Sequence, residues 1–198
     1  MGEMVVYNYE SAILMAEMAV RGLRKVCHRI EIAGSVRRKK DFVHDIDLVL
    51  WPKCELVQTG QPDFFGFAAQ AMKYPTQLID LMMQNGWLVQ RPDEYRRKLT
   101  LAAVDDDEYA IPIELYLCEP DGSNFEALLQ MRTGCAEFNV QLAQRAKRIG
   151  KIYRAGYGIY DAADPERRLD DGTEAGIFAA LMLPYVEPEQ RNSRFGVV

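Results

Sequence analysis

The segment that most constrains this chain is Ala33-Gly34-Ser35-Val36-Arg37-Arg38-Lys39-Lys40, followed closely by His44-Asp45-Ile46-Asp47-Leu48-Val49-Leu50. Its first part reads as a tight turn opening a short basic helix over Ser35 to Lys40. Free backbone N–H groups and the positive end of that helix would face an anion near Ser35. The second part alternates polar and apolar residues and then runs into Leu and Val, the pattern of a strand. Side chains at i and i+2 share a face of a strand, so Asp45 and Asp47 point one way while Ile46, Leu48 and Leu50 enter the core. Two carboxylates spaced roughly 7 Å along a pleat can hold hard cations between them. A single Asp-x-Asp is common on solvated strands, and a Gly-Ser turn is commoner still. Joined to the intervening arginines and backed by an apolar strand, the set matches what nucleotidyl transfer requires: carboxylates for metals beside donors for phosphates.

The remaining elements follow from periodicity and punctuation. Asn8 to Cys27 is predicted as a helix capped by Asn8, and Glu31-Ile32-Ala33 as a short strand. Asp63 to Met72 and Thr76 to Gln84 read as helices, the second stopped by Asn85-Gly86, with Trp87 to Gln90 as a strand. Arg97 to Val104 and Tyr109 to Leu117 form a strand pair joined by Asp105-Asp106-Asp107-Glu108. That acidic run is read as a solvated hairpin loop, not a metal site, because nothing apolar surrounds it. Within the second arm Glu114 and Tyr116 share a face. Glu114 gains meaning only if this strand lies beside Asp45 and Asp47, where it would supply a third carboxylate. Pro120-Asp121-Gly122-Ser123 is a strong turn and the best internal boundary. Beyond it, helices are predicted at Asn124 to Arg132, Glu137 to Ile149 and Glu174 to Leu183, with a small hairpin over Ile152 to Asp161.

Composition narrows the class. A chain of 198 residues suits one domain or two small ones sharing a core, and its 48% hydrophobic content is that of a folded globular protein. No apolar run approaches the ~20 residues of a membrane span, and the start lacks a secretory signal, so a cytoplasmic setting is expected, bacterial or phage- or virus-encoded. Cys27, Cys54, Cys118 and Cys135 form no Cys-x-x-Cys, which leaves them as free thiols. The net charge of −5 argues against a nucleic-acid partner until its distribution is considered. Positive clusters sit at Arg37 to Lys40, at Arg96-Arg97-Lys98, and along Arg145, Lys147, Arg148, Lys151 and Arg154. Local basic surface, not the total, sets phosphate affinity. Arg97, Lys98, Arg145, Arg148 and Lys151 are therefore candidate nucleic-acid phosphate contacts, although each cluster alone also suits a solvated face.

At this point the sequence resembles the family-X DNA polymerases. Gly34-Ser35-Val36-Arg37-Arg38 followed by Asp45-Ile46-Asp47 is similar to the Gly-Ser-x-Arg-Arg…Asp-x-Asp of their palm, a motif also found across the wider nucleotidyltransferase superfamily. More specific are Phe125-Glu126-Ala127-Leu128-Leu129, Thr133-Gly134, Glu137-Phe138-Asn139, Arg145-Ala146 and Tyr157-Gly158-Ile159-Tyr160-Asp161, which look like the thumb. Ile177-Phe178 and Leu183-Pro184-Tyr185-Val186-Glu187-Pro188 match the end of bacterial members. The resemblance implies an α+β fold. Residues 1–121 would form a palm, a mixed or antiparallel sheet with helices on one side, and residues 122–198 a small, mainly helical thumb. Lyase and fingers domains have no counterpart.

The resemblance also implies that Asp45 and Asp47 bind two Mg2+ (or Mn2+) ions and Glu114 one of them. Gly34, Ser35 and Arg38 would hold the nucleoside triphosphate, with Asn139 at the base edge and Met131, Arg132 and Gly134 along the nucleotide. Three positions depart from the family pattern. Glu114 replaces an Asp, Met131-Arg132 replaces the aromatic pair that packs the sugar, and Ala136 stands where a polar or charged residue is frequent. The implied activity is DNA-directed DNA synthesis from a primer or primer-template, in gap filling or repair. An accessory protein supplying extra DNA grip is a candidate partner, and no membrane is involved. Template-independent terminal transfer, transfer on RNA, and a decayed DNA-end-binding module are the alternatives.

Overall fold

The computed structural model describes residues 6–59, 69–73, 87–93, 98–103 and 111–192, with side chains placed over 6–54 and 111–192. Among them a five-stranded mixed sheet is the organising layer. Its members are β2 (Cys27–Ile32), β4 (Ile46–Pro52), β9 (Ile113–Leu117), β8 (Lys98–Ala103) and β7 (Trp87–Asp93), in that spatial order. The pair β4–β9 is parallel and the other neighbours are antiparallel. Two short ladders flank the sheet: β1 (Tyr7–Asn8) with β3 (Phe42–Val43), and β5 (Glu55–Thr59) with β6 (Ala69–Lys73).

Helix α1 (Tyr9–Leu23) starts where Asn8 Oδ1 accepts a hydrogen bond from the Ser11 N–H, as the sequence predicts. It ends four residues before Cys27, because a 3-10 turn at Arg24–Val26 brings the chain into β2 and sheet pairing claims Cys27. The apolar alternation of β4 then divides its residues between two cores. Ile46, Leu48 and Leu50 pack with Ile113, Leu115 and Leu117 beneath Ala12, Ala16 and Leu23 of α1. Val49 and Tyr116, on the opposite face, pack with Phe125, Leu128 and Leu129 of α3 (Phe125–Thr133). The period of two thus directs the odd-numbered residues of β4, Asp47 among them, toward the second half of the chain.

One prediction is overturned. The carboxy-terminal part of the helix expected over Asp63 to Met72 is strand β6, paired from Ala69↔Thr59 to Lys73↔Glu55. Alanine-rich local propensity yields there to the backbone ladder offered by β5. The helix expected over Thr76 to Gln84 and the acidic run Asp105 to Glu108 lie outside the described residues.

The chain crosses into its helical part through the turn at Pro120–Ser123. Gly122 has φ +74°, and a Cβ on it would lie 2.5 Å from the Trp51 ring, so only glycine fits both the backbone and the packing. After α3 come α4 (Ala136–Arg148), the antiparallel hairpin β10 (Lys151–Arg154) and β11 (Gly158–Asp161), and α5 (Glu174–Ala180). Phe138, Leu142, Ile159, Ile177, Phe178 and Leu181 form their common core.

A buried ionic array joins the two parts. Arg191, 0% exposed, donates to Glu174 at 2.6 Å and to the Val186 carbonyl. Glu174 also receives both terminal nitrogens of Arg37, which lies at the end of the one-turn helix α2 (Gly34–Arg37). Burial works to raise the Glu174 carboxyl, but hydrogen bonds and charges from Arg37 and Arg191 outweigh it and hold it below its ordinary value. Removing one member leaves a buried charge under-compensated. Arg191→Met is therefore expected to cost about 3–5 kcal/mol in urea unfolding. A loss below about 1 kcal/mol would mean that the array contributes little.

Candidate active site

The parallel register of β4 and β9 makes Asp47 and Glu114 direct Cα partners, and Asp45 immediately precedes β4. Asp47 and Glu114 therefore share one face of the sheet, and Asp45 and Asp47 line one cleft with the Gly34-Ser35 turn. The Ala33 N–H donates to the Asp47 carbonyl at 2.8 Å, which draws the turn against the strand. Gly34 has φ +58°, and a Cβ there would lie 1.8 Å from Asp47 Oδ2. The glycine is thus required by the carboxylate as well as by the backbone.

A cleft of about 860 Å³ opens beside these groups, lined by Gly34, Ser35, Arg38, Asp45 and Asp47 on one side and by Met131, Arg132, Gly134 and Asn139 on the other. Every nucleotide-binding residue expected from the sequence reaches this one cleft. Ser35 Oγ is buried and has no hydrogen-bond partner among the described residues, so its hydroxyl is uncommitted at the cleft wall.

The electrostatics of the carboxylates follow from their crowding. Burial first, then the charges of Asp45 and Glu114, push the Asp47 carboxyl up to about 7, while Arg132 and a hydrogen bond from Tyr116 oppose the rise. Acceptor-only oxygens under mutual repulsion are the donor chemistry that suits a hard divalent cation. The side chains are not, however, drawn together as a ligand set: among the described residues no three Asp, Glu, His or Cys groups form a metal cluster. The Tyr116 hydroxyl donates to Glu114 and engages the third carboxylate. Sequence reasoning placed Tyr116 on that face without anticipating this bond, for which the i, i+2 spacing was the available signal.

Other expected residues are held in ways the sequence did not reveal. Arg38 donates to the Thr133 carbonyl at 2.6 Å and to Asn192 at 3.0 Å, so its guanidinium at present ties the turn to the helical part. Asn139 Nδ2 donates to the Met131 carbonyl at 2.7 Å and its Oδ1 accepts from Gln130, which fixes the Thr133-Gly134 corner. Arg145 and Lys151 donate to the carbonyls of Leu181 and Ala180, where they satisfy the last turn of α5. Arg148 is exposed at the end of α4. Arg97 and the Lys98 side chain lie outside the described residues. The four cysteines form no disulfide, and burial pushes the thiols of Cys27 and Cys118 up to about 12.

Comparison with known proteins agrees with this layout. The family model described as the DNA polymerase beta thumb matches residues 128–192. A DNA nucleotidylexotransferase of Monodelphis domestica is 26% identical over 200 residues, covering 83% of this chain. A crystal structure of Leishmania infantum polymerase beta, described as a ternary P/T complex, superposes with a TM-score of 0.69 over 96% of this chain and 77% of that one. The chain is thus similar to family-X polymerases, through the thumb model in sequence and polymerase beta in fold. At 18% identity the solved structure shows the fold, and that fold is the α+β arrangement described above. The chain spans 36% of the length of the curated nucleotidylexotransferase. The family-X-type thumb match begins within α3, the helix that packs on the sheet through Phe125, Leu128 and Leu129. No helix among the described residues is long and apolar enough to cross a membrane.

Proposed function

We propose that this chain is a metal-dependent nucleotidyltransferase that adds dNMP from a dNTP to the 3′ end of a DNA primer or primer-template, in gap-filling or repair synthesis. The observation that carries the reading is the pairing of Asp47 with Glu114 across parallel strands, beside Asp45 and opposite the Gly34-Ser35 turn. Residues 1–121 act as palm and residues 122–198 as thumb.

Asp45, Asp47 and Glu114 would hold two Mg2+ or Mn2+ ions, Glu114 after releasing Tyr116. When bound, such ions lower the pKa of the primer hydroxyl and neutralise the departing pyrophosphate. The protein's own contribution is positioning. Ser35 Oγ and the adjacent backbone receive phosphate oxygens, and Arg38 supplies a fixed positive charge once its bond to the Thr133 carbonyl is exchanged for phosphate. Asn139 and Gly134 border the nucleotide, and Met131 gives the sugar an apolar neighbour. Arg148, with Arg97 and Lys98, is assigned to DNA phosphates. Arg145 and Lys151 contribute through the α5 end that they cap. An accessory protein would extend the DNA grip.

A second reading, template-independent terminal transfer, is favoured by one observation: the curated relative is named a nucleotidylexotransferase. A primer panel tests both. The chain, supplied with Mg2+ or Mn2+ and dNTPs, is offered gapped, recessed, blunt and single-stranded DNA primers and an RNA primer. Extension restricted to gapped or recessed templates, following template sequence, is the expected result. Sequence-independent addition to single strands selects the second reading. No extension on any primer under either metal rejects both and leaves DNA-end binding.

A further inference from the structure

Arg132 lies one residue before the end of α3, and its guanidinium carbon sits 3.7 Å from the centre of the Tyr116 ring. Its Nε is buried without a hydrogen-bond partner among the described residues. The hydroxyl of the same tyrosine donates to Glu114, and the Arg132 charge also acts on Asp47. Arg132 and Asp47 line the cleft, and Tyr116 links Arg132, through its ring, to Glu114, through its hydroxyl. A guanidinium keeps its charge at any working pH, and stacking on an aromatic face lets it lose water at modest cost. With one donor unmet, the position is favoured by the Tyr116 ring and by attraction to the carboxylate charge of Asp47.

The geometry points to Arg132 as a resident counter-cation for Asp47 and Glu114, one that a divalent ion must displace or overcome in order to bind. The assignment deepens the proposed function and rests on its reading of these carboxylates as cation ligands. It gives Arg132 a positioning role toward the carboxylates, in place of the nucleotide contact expected from the sequence. The next residue, Thr133, holds Arg38 through its carbonyl and Arg37 through its hydroxyl at 2.6 Å. A shift of Arg132 is therefore passed directly to the corner that borders the nucleotide cleft.

The test measures Mn2+ binding to the full chain at pH 8, without nucleotide or DNA, by loss of the free-ion electron paramagnetic resonance signal. Arg132→Leu is expected to bind Mn2+ about tenfold more tightly than the native chain, since it removes a unit charge from the site. Arg132→Lys, which keeps the charge, is expected to stay within about twofold of native. In EDTA the leucine variant should melt below the native chain, and saturating Mn2+ should raise its Tm by more than it raises the native value. A residue that merely packs on Tyr116 would lower Tm equally in both conditions.

The inference is overturned if Arg132→Leu binds no more tightly while Asp47→Asn loses binding, or if the lysine and leucine variants behave alike. If the native chain and every variant, Asp45→Asn included, show no saturable Mn2+ binding, the cation-ligand reading itself fails and takes the inference with it.

Discussion

Asp47→Asn is expected to abolish nucleotidyl transfer, by about three orders of magnitude or more in rate, and to raise the Tm of the metal-free protein at pH 8. The first effect follows from loss of a carboxylate proposed to hold the metal ions, the second from the crowding of that carboxylate. Burial together with the neighbouring Asp45 and Glu114 holds the folded carboxyl near 7, against an ordinary value of 3.8. Between those values the folded chain keeps a proton that the unfolded chain releases. This group's contribution to stability therefore falls as pH rises through the window and levels off above about 7. An amide has no charge to bury and lacks this slope. Melting in EDTA at pH 5 and pH 8 checks it: the native chain should lose more than the variant between the two. Retention of transfer by the variant, or parallel pH profiles, would contradict the assignment of Asp47.

Gly34→Ala should also damage transfer, by about 100-fold, while leaving the fold in place. The positive φ of Gly34 costs an L-residue about 1–2 kcal/mol, which a domain of this size can bear. The new Cβ, however, would sit 1.8 Å from Asp47 Oδ2, and Asp47 is fixed within a sheet strand. Either the turn or the carboxylate must move. A displacement of about 1 Å at a reacting centre costs on the order of 100-fold in rate. Gly150→Ala is the control, because its φ is also positive, at +69°, with nothing within 4 Å of the added Cβ. Single-turnover dNTP incorporation by the two variants, with circular dichroism for fold, separates clash from backbone strain. Equal activity in both would remove the close approach from the account of the site.

How much of this was legible in the sequence depends on the range of the interaction concerned. The facing of Asp47 away from Ile46, Leu48 and Leu50 needs only the two-residue period of a strand and is found as predicted, whereas Asp45 lies just before the strand. The caps and stops of the helical part are equally local: α3 ends at Gly134 and α4 just before Gly150. The register that brings Glu114 against Asp47 is not local, and spacing alone left it as a condition. The basic clusters were the least legible. A run of cations carries no information about its partners, and here Arg145 and Lys151 serve carbonyls of another helix while Arg37 serves Glu174. The Ala69–Lys73 segment shows the same limit, since a distant strand decides what an alanine-rich stretch becomes.

The tethering of α2 has a mechanical consequence. Arg37, Arg38 and Lys39 each grip a different point of the carboxy-terminal part: Glu174, the Thr133 carbonyl with Asn192, and Glu189. The turn that carries Ser35 is covalently continuous with the sheet yet fastened to the other body. Any displacement of the carboxy-terminal part would therefore load α2, and with it Ser35, through these three attachments.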